Sequence, residues 1–220
     1  MIMYLIQNRF NIELIELVFI FISYALVIFL ALPVHEMAHA FTADRMGDST
    51  ARWSGRLTLN PFAHLDIVGT AMIFIFGFGY AKPVPVNPRN FKNYKAGMFM
   101  TSFAGPLSNL IMAFLSLLIL RIVLLFNPAV LLIIILKILL QQFALINITL
   151  AVFNLLPIPP LDGYRIISNF LNPKTVYFIE RYQWYITIGF FMIIATGRFS
   201  GLLSFITEFI LTFFTKILVF

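Results

Sequence analysis

Long apolar runs, broken by short polar stretches rich in proline and glycine, set the pattern of this chain. The first run covers residues 12–46, longer than the ~20 residues a helix needs to cross a bilayer. Its 17–32 portion is plain lipid-facing sequence, polar side chains appear only in its last turns, and Gly47 followed by Asp48-Ser49-Thr50 forms a helix stop. Residues 51–66 alternate Trp53, Leu57 and Leu59 with polar neighbours and are expected as strand and turn, with Asn60-Pro61 reversing the chain. The next segment, 67–81, is apolar but short and holds Gly69, Gly77 and Gly79, which suits a re-entrant segment. Residues 81–88 read as an extended, proline-punctuated loop. A second span is expected over 96–126, with Gly105-Pro106-Leu107-Ser108-Asn109 allowing close helix approach. After the tight Asn127-Pro128 connection, a third span over 129–156 ends in a three-proline break before Asp162-Gly163. A short helix at 164–172, a fourth span at 176–196 and a final apolar segment at 202–220, spanning or interfacial, complete the reading. The expected fold is an all-α integral membrane protein. It is a polytopic bundle of about four to six transmembrane helices with a short re-entrant or β-loop region, in one membrane-embedded domain over 1–220 (core 12–172, C-terminal helices 173–220).

Composition sharpens this. Of 220 residues, 61% are hydrophobic and 11% charged, against about 25% charged in soluble domains. The bulk of the chain therefore lies in spans, leaving no room for a separate soluble domain. The net charge of +6 fits a cytoplasmic rim facing anionic headgroups, not a nucleic-acid partner. No basic stretch precedes the first apolar run, and Glu13 and Glu16 interrupt its start, so a cleavable signal is not expected. The loops at 43–66, 82–95 and 162–175 carry most of the Lys and Arg and are expected to be cytoplasmic, with the uncharged Asn127 turn outside. This requires 67–81 to enter and return on one side. The expected location is a multi-pass protein of the plasma membrane with its site toward the cytoplasm.

The chemistry is concentrated in His35-Glu36-Met37-Ala38-His39. Residues four apart share a helix face, so the two imidazoles can hold one metal ion, and Glu36 can take a proton from water beside it without binding the metal. The chain has no cysteine, so any metal must be held by His, Asp or Glu. Catalytic zinc commonly takes a third protein ligand, and Asp44, His64, Asp66 and Asp162 are the candidates. Asp44 lies well off the ligand face. Asp162, beside the proline break, completes the metal site, caps the helix that follows it, or does both. Asp44, Arg45, Asp48 and Arg56 form a charged rim that either draws water inward or is simply a solvated helix end.

His35-Glu36-Met37-Ala38-His39, taken with Asn154-Leu155-Leu156-Pro157-Ile158-Pro159-Pro160-Leu161-Asp162-Gly163, resembles the site-2 protease family of intramembrane zinc metalloproteases (peptidase family M50). The resemblance covers residues 30–170. It extends to Leu59-Asn60-Pro61-Phe62-Ala63-His64-Leu65-Asp66 and to residues 81–88, as in small members without PDZ or CBS domains. Many relatives carry proline where this chain has Ile67. The family pattern implies one zinc on His35, His39 and Asp162, Glu36 as general base, and a supporting role for Asn154 near the reacting carbonyl. His64 is open between an oxyanion donor, a support for the ligands, a resting-state ligand and an interfacial loop histidine. The implied activity is hydrolysis of peptide bonds within or near transmembrane segments of membrane-protein substrates. An unwound substrate would add to a strand edge expected over Phe76 to Pro88, where Gly77 and Gly79 allow close backbone approach and the prolines discourage promiscuous pairing. A zinc transporter or channel, or a silent membrane-protein binder with a structural zinc, are the competing readings. The absence of an internal repeat and the presence of Glu36 weigh against transport.

Overall fold

A computed structural model of the chain describes residues 14–67, 69, 71, 81–126, 129–197 and 199–218. Every regular element among them is helical. The first run begins as α1 (Leu14–Leu26), widens into a π-turn (Val27–Ala31) and continues as α2 (Leu32–Met46). The widening has a local cause. Pro33 has no amide hydrogen for the preceding turn and its ring crowds the carbonyl four residues back. The Leu32 amide instead reaches Val27, five residues back. One extra residue in the turn rotates everything after it relative to α1. Gly47 ends α2 at φ 114°, as its stop signal implied. A Cβ there would lie 2.9 Å from the Asn90 carbonyl, so only glycine is unstrained.

The strand expected within 51–66 is absent. Two short helices stand there, α3 (Thr50–Trp53) and α4 (Pro61–His64). Asn60-Pro61 is a helix start, not a reversal: the Asn60 side chain accepts from the Phe62 amide at 3.1 Å and Pro61 sits where no amide bond is needed. The same device recurs at a 3-10 turn (Pro88–Asn90) capped by Asn87 and at Pro173 capped by Asn172. Gly77 and Gly79 of the expected substrate edge lie outside the described residues, as does most of 67–81, and the described part of that edge, 81–88, forms no strand.

α5 (Tyr94–Leu125), capped by Asn93, and α6 (Val130–Asn154) are the second and third spans, close to their expected limits. With Phe21–Met46 they are the helices among the described residues that are long and apolar enough to cross a membrane. They pack on one another through Ala113, Leu117, Ala144, Ile148 and Val152. Ser116 Oγ donates across to the Leu140 carbonyl at 2.7 Å, an interhelical bond suited to a medium without water. After the proline break comes α7 (Asp162–Ser168), the expected short helix. The expected fourth span is divided: α8 (Pro173–Arg181) and α9 (Gln183–Ala195) meet at Tyr182 (φ −105°, ψ 13°). Glu180 and Arg181 fall inside the apolar run, and burying both in lipid costs more than turning the chain. α10 (Ser200–Ile217) lays Leu203, Ile206, Ile210 and Phe214 against the α5–α6 core.

Beyond Gly47 the chain is tied back to α2 through polar groups. The Lys92 amide donates to the Met46 carbonyl at 3.1 Å. Asp48, fully buried, accepts from the Asn87 amide at 2.7 Å, from the Asn90 side chain at 2.8 Å and from both amide and hydroxyl of Thr50. Burial pushes the Asp48 carboxyl up, but these bonds outweigh it and hold the group below the ordinary carboxylate range. A depressed folded pKa means that Asp48 stabilises the fold fully above the ordinary carboxylate value and loses that contribution as pH falls through the folded one. Asp48→Asn is therefore expected to lower the thermal midpoint in detergent at pH 7, with the gap to wild type closing below about pH 4. Midpoints measured across a pH series check this, and a gap constant with pH would contradict it.

Candidate metal centre

The sequence places His35 and His39 one helical turn apart on α2, and the fold turns both inward at 6% and 7% exposure. Their Nε2 atoms lie 3.0 Å apart. Asp162, brought in from the far side of the proline break, is 8% exposed. Its Oδ2 lies 3.3 Å from His35 Nε2 and 3.2 Å from His39 Nε2. Asp162 is the first residue of α7, and Leu161 before it makes no side-chain cap bond. The carboxylate faces the imidazoles from the first turn of that helix.

The donor chemistry fits a cation. His39 Nδ1 lies 2.7 Å from the Thr101 carbonyl, which can only accept, so Nδ1 carries the hydrogen and Nε2 of the neutral ring presents a lone pair. The two Nε2 atoms and the Asp162 carboxylate, all buried and within 4.8 Å of one another, can each offer a lone pair to a cation between them. Tetrahedral zinc with bonds of about 2.0–2.1 Å separates neighbouring donors by about 3.3–3.4 Å, close to the spacings found. This is the group of His, Asp and Glu side chains among the described residues with metal-binding geometry.

Four local features make the convergence possible. Pro106 inside α5 removes one amide from the helix ladder beside Thr101, whose carbonyl orients His39. Gly105 lets α5 press against the rings: a Cβ there would sit 2.3 Å from His39 Nε2 and 2.6 Å from His35 Cε1. Gly163 does the same for α7, where a Cβ would meet the Leu155 carbonyl at 2.2 Å. Thr187 Oγ1 donates to the Pro159 carbonyl at 2.8 Å, tying α9 to the break. His35 Nδ1, by contrast, is buried without a hydrogen-bond partner, so the polar contacts of that ring are those of its Nε2.

Glu36, half-buried, accepts at Oε2 from the Val84 amide at 3.2 Å. Asn154 donates from Nδ2 to the Leu150 carbonyl of its own helix at 3.0 Å. His64 is 1% exposed and stands outside the three-residue group, its Nε2 2.8 Å from the Thr58 carbonyl. Asp66 accepts from the Gly69 amide at 2.9 Å, and Asp44 pairs with Arg52 at 2.5 Å, so neither joins the group. The rim expected from Asp44, Arg45, Asp48 and Arg56 is only half a rim, because Asp48 and Arg56 are buried. A cavity of about 220 Å³ opens between Val84 and Val86 on one side and Met98 and Thr101 of α5 on the other. It adjoins a groove of about 790 Å³ that shares Pro88, Met98 and Arg165.

Apolar helices that bury a two-histidine, one-aspartate cluster with a glutamate beside it define a membrane-embedded metallohydrolase. Comparison with known proteins narrows this. The profile described as "Peptidase family M50" matches residues 129–196. "Putative zinc metalloprotease YwhC" of Bacillus subtilis is 45% identical over 152 residues, covering 67% of this chain and 68% of that protein. "Putative zinc metalloprotease Rip2" of Mycobacterium tuberculosis is 38% identical over 149 residues, covering 66% of this chain and 56% of its own length. No solved structure matches the chain significantly. The chain belongs to peptidase family M50 and is a zinc metalloprotease of the membrane.

Gly105→Ala pushes a methyl group into both rings. It is expected to weaken zinc binding about 10–100-fold, measured by chelator competition on purified protein. Unchanged zinc affinity would show that α5 does not set the ring positions.

Proposed function

We propose that the zinc is held by His35, His39 and Asp162 and that the chain is an intramembrane endopeptidase of the site-2 type. Its substrates would be peptide bonds within or near the transmembrane segments of other membrane proteins. The observation that carries this reading is the convergence of two Nε2 atoms and Asp162 Oδ2 with the Glu36 carboxylate one residue from the first ligand. Bound there, zinc supplies a Lewis acid that makes water acidic at neutral pH and offsets negative charge on a carbonyl oxygen.

The chain's own groups do the rest. Glu36 takes a proton at its carboxylate as water attacks the peptide carbonyl, holds it, and delivers it to the departing amine. The Val84 amide occupies one Glu36 oxygen and leaves the other for that proton. Asn154 keeps a second amide hydrogen beyond the one given to Leu150, which supports its role as a donor to the reacting carbonyl. His64, fixed on Thr58, serves the fold of the loop.

The groove bounded by Tyr94, Lys95, Tyr164, Arg165 and Tyr177 leads toward the cavity beside Thr101, and we read it as the path of an unwound substrate segment. A transmembrane helix must open before its carbonyls can be reached, because its backbone is otherwise fully bonded. The bond from Lys92 to Met46 puts the basic loop at the end of α2 that follows the ligands, in keeping with a site opening toward the cytoplasm.

The test is cleavage of a transmembrane substrate in proteoliposomes. Glu36→Gln is expected to lower the rate about 10²–10⁴-fold with zinc content unchanged. Cleavage at the wild-type rate, or zinc flux across the liposome without cleavage, would refute the reading.

A further inference from the structure

Two buried charges have no part in the metal cluster. Arg56 is 7% exposed and Asp48 is fully buried, and neither forms a salt bridge among the described residues. A buried guanidinium or carboxylate persists only if its hydrogen-bonding capacity is met. Both are met by one segment, residues 82–90. Arg56 donates from Nη2 to the carbonyls of Lys82 and Pro83 at 3.3 and 3.2 Å, and from Nη1 to the carbonyl of Ala63 on α4. Asp48 accepts from the Asn87 amide and the Asn90 side chain at the other end. The Lys82 amide adds a bond to the His64 carbonyl at 2.8 Å.

Between these anchors the segment is extended, and Pro83, Pro85 and Pro88 limit its freedom. Val84 and Val86 pack with Ala40 of α2, Ala51 of α3 and Leu57. Val84 is the residue whose amide meets Glu36. Its flanking prolines have no amide to offer, so any slippage of the segment by one residue leaves the Glu36 oxygen without a donor. Val84 and Val86 also line the cavity that reaches Thr101.

We infer that residues 82–90 form a fixed strap, clamped by Arg56 and Asp48, whose Val84 amide orients the Glu36 carboxylate while Val84 and Val86 line the substrate cleft. Arg56 and Asp48 are positioning residues that act through the strap. The inference rests on the reading of Glu36 as general base, and it adds residues outside the metal cluster to the catalytic apparatus. A misdirected carboxylate costs turnover far more than substrate binding, because its position matters only as the proton moves.

The experiment uses the zinc-loaded full chain in lipid nanodiscs with a transmembrane substrate. Arg56→Lys cannot span the three carbonyls, and Val84→Pro deletes the amide without altering the extended conformation. Amide exchange over the strap, zinc content, kcat and KM are measured together. Arg56→Lys is expected to speed exchange at Val84 about tenfold. Both variants are expected to lower kcat about 10–100-fold with KM nearly unchanged and zinc retained. Arg52→Gln, which breaks only the exposed pair with Asp44, leaves all four quantities as in wild type. Glu36→Ala also speeds exchange at Val84, whatever the catalytic role of Glu36. Zinc-loaded Val84→Pro with normal kcat, or Arg56→Lys with a loosened strap and normal kcat, would overturn the inference. Zinc loss in both variants would overturn it too, since the strap would then be only structural. Cleavage that survives Glu36→Gln would instead overturn the general-base reading, and the exchange results would still stand.

Discussion

The whole arrangement turns on bringing three polar atoms together inside the membrane. Two imidazole nitrogens and a carboxylate oxygen, all buried, stand 3.0 to 3.3 Å apart. A cation at their centre, taking a lone pair from each, offsets the cost of burying them in apolar surroundings. The consequence for the fold is that α2, α5 and α7 must approach until side chains no longer keep them apart. Gly105 stands where α5 meets the rings of α2 and Gly163 where α7 meets the chain at Leu155 after α6, and neither position leaves room for a methyl group. The Thr101 carbonyl, beside the Pro106 interruption, then fixes which nitrogen of His39 is available. Small residues and a broken helix ladder are usual devices for close packing in lipid. Here they serve to set a tautomer and a distance.

A second layer of polar order lies just beyond the end of α2. Asp48 and Arg56 bury opposite charges without pairing with each other, each saturated by main-chain groups or amides. This connects the loops to the metal helix by directional bonds, where apolar packing alone would leave the loops free to slide. An apolar cluster there joins Val84 and Val86 to Ala40, Ala51 and Leu57. The strap is thus located by charge and seated by hydrophobic contact, and the general base takes its orientation from the result.

Much of this was legible in the sequence. The four-residue spacing of His35 and His39, the three-proline break before Asp162 and the glycine stop at 47 each follow from local rules that tertiary structure did not override. What misled was context. Asn60-Pro61 carries the same residues whether it turns a chain or starts a helix, and the choice depended on the Phe62 amide having no other partner. Residues 176–196 look like one span by average hydropathy, yet Glu180 and Arg181 in their midst divide it. Asp48 and Arg56 looked like solvated charges at a helix end, because the partners beyond Thr50 and Ala63 that bury them lie 39 and 26 or more residues downstream, outside any short window. The π-turn was not read from the sequence, although its local cause, the missing amide of Pro33, was there to see.

The most direct test of the account is X-ray absorption at the zinc edge on purified wild-type protein and Asp162→Ala. The account predicts one zinc per chain with two imidazole nitrogens and a carboxylate oxygen in its shell. In the variant that oxygen contribution is replaced and zinc affinity falls. A wild-type spectrum without two imidazoles, or a variant spectrum and affinity identical to wild type, would mean that α2 and α7 do not meet around a shared ion.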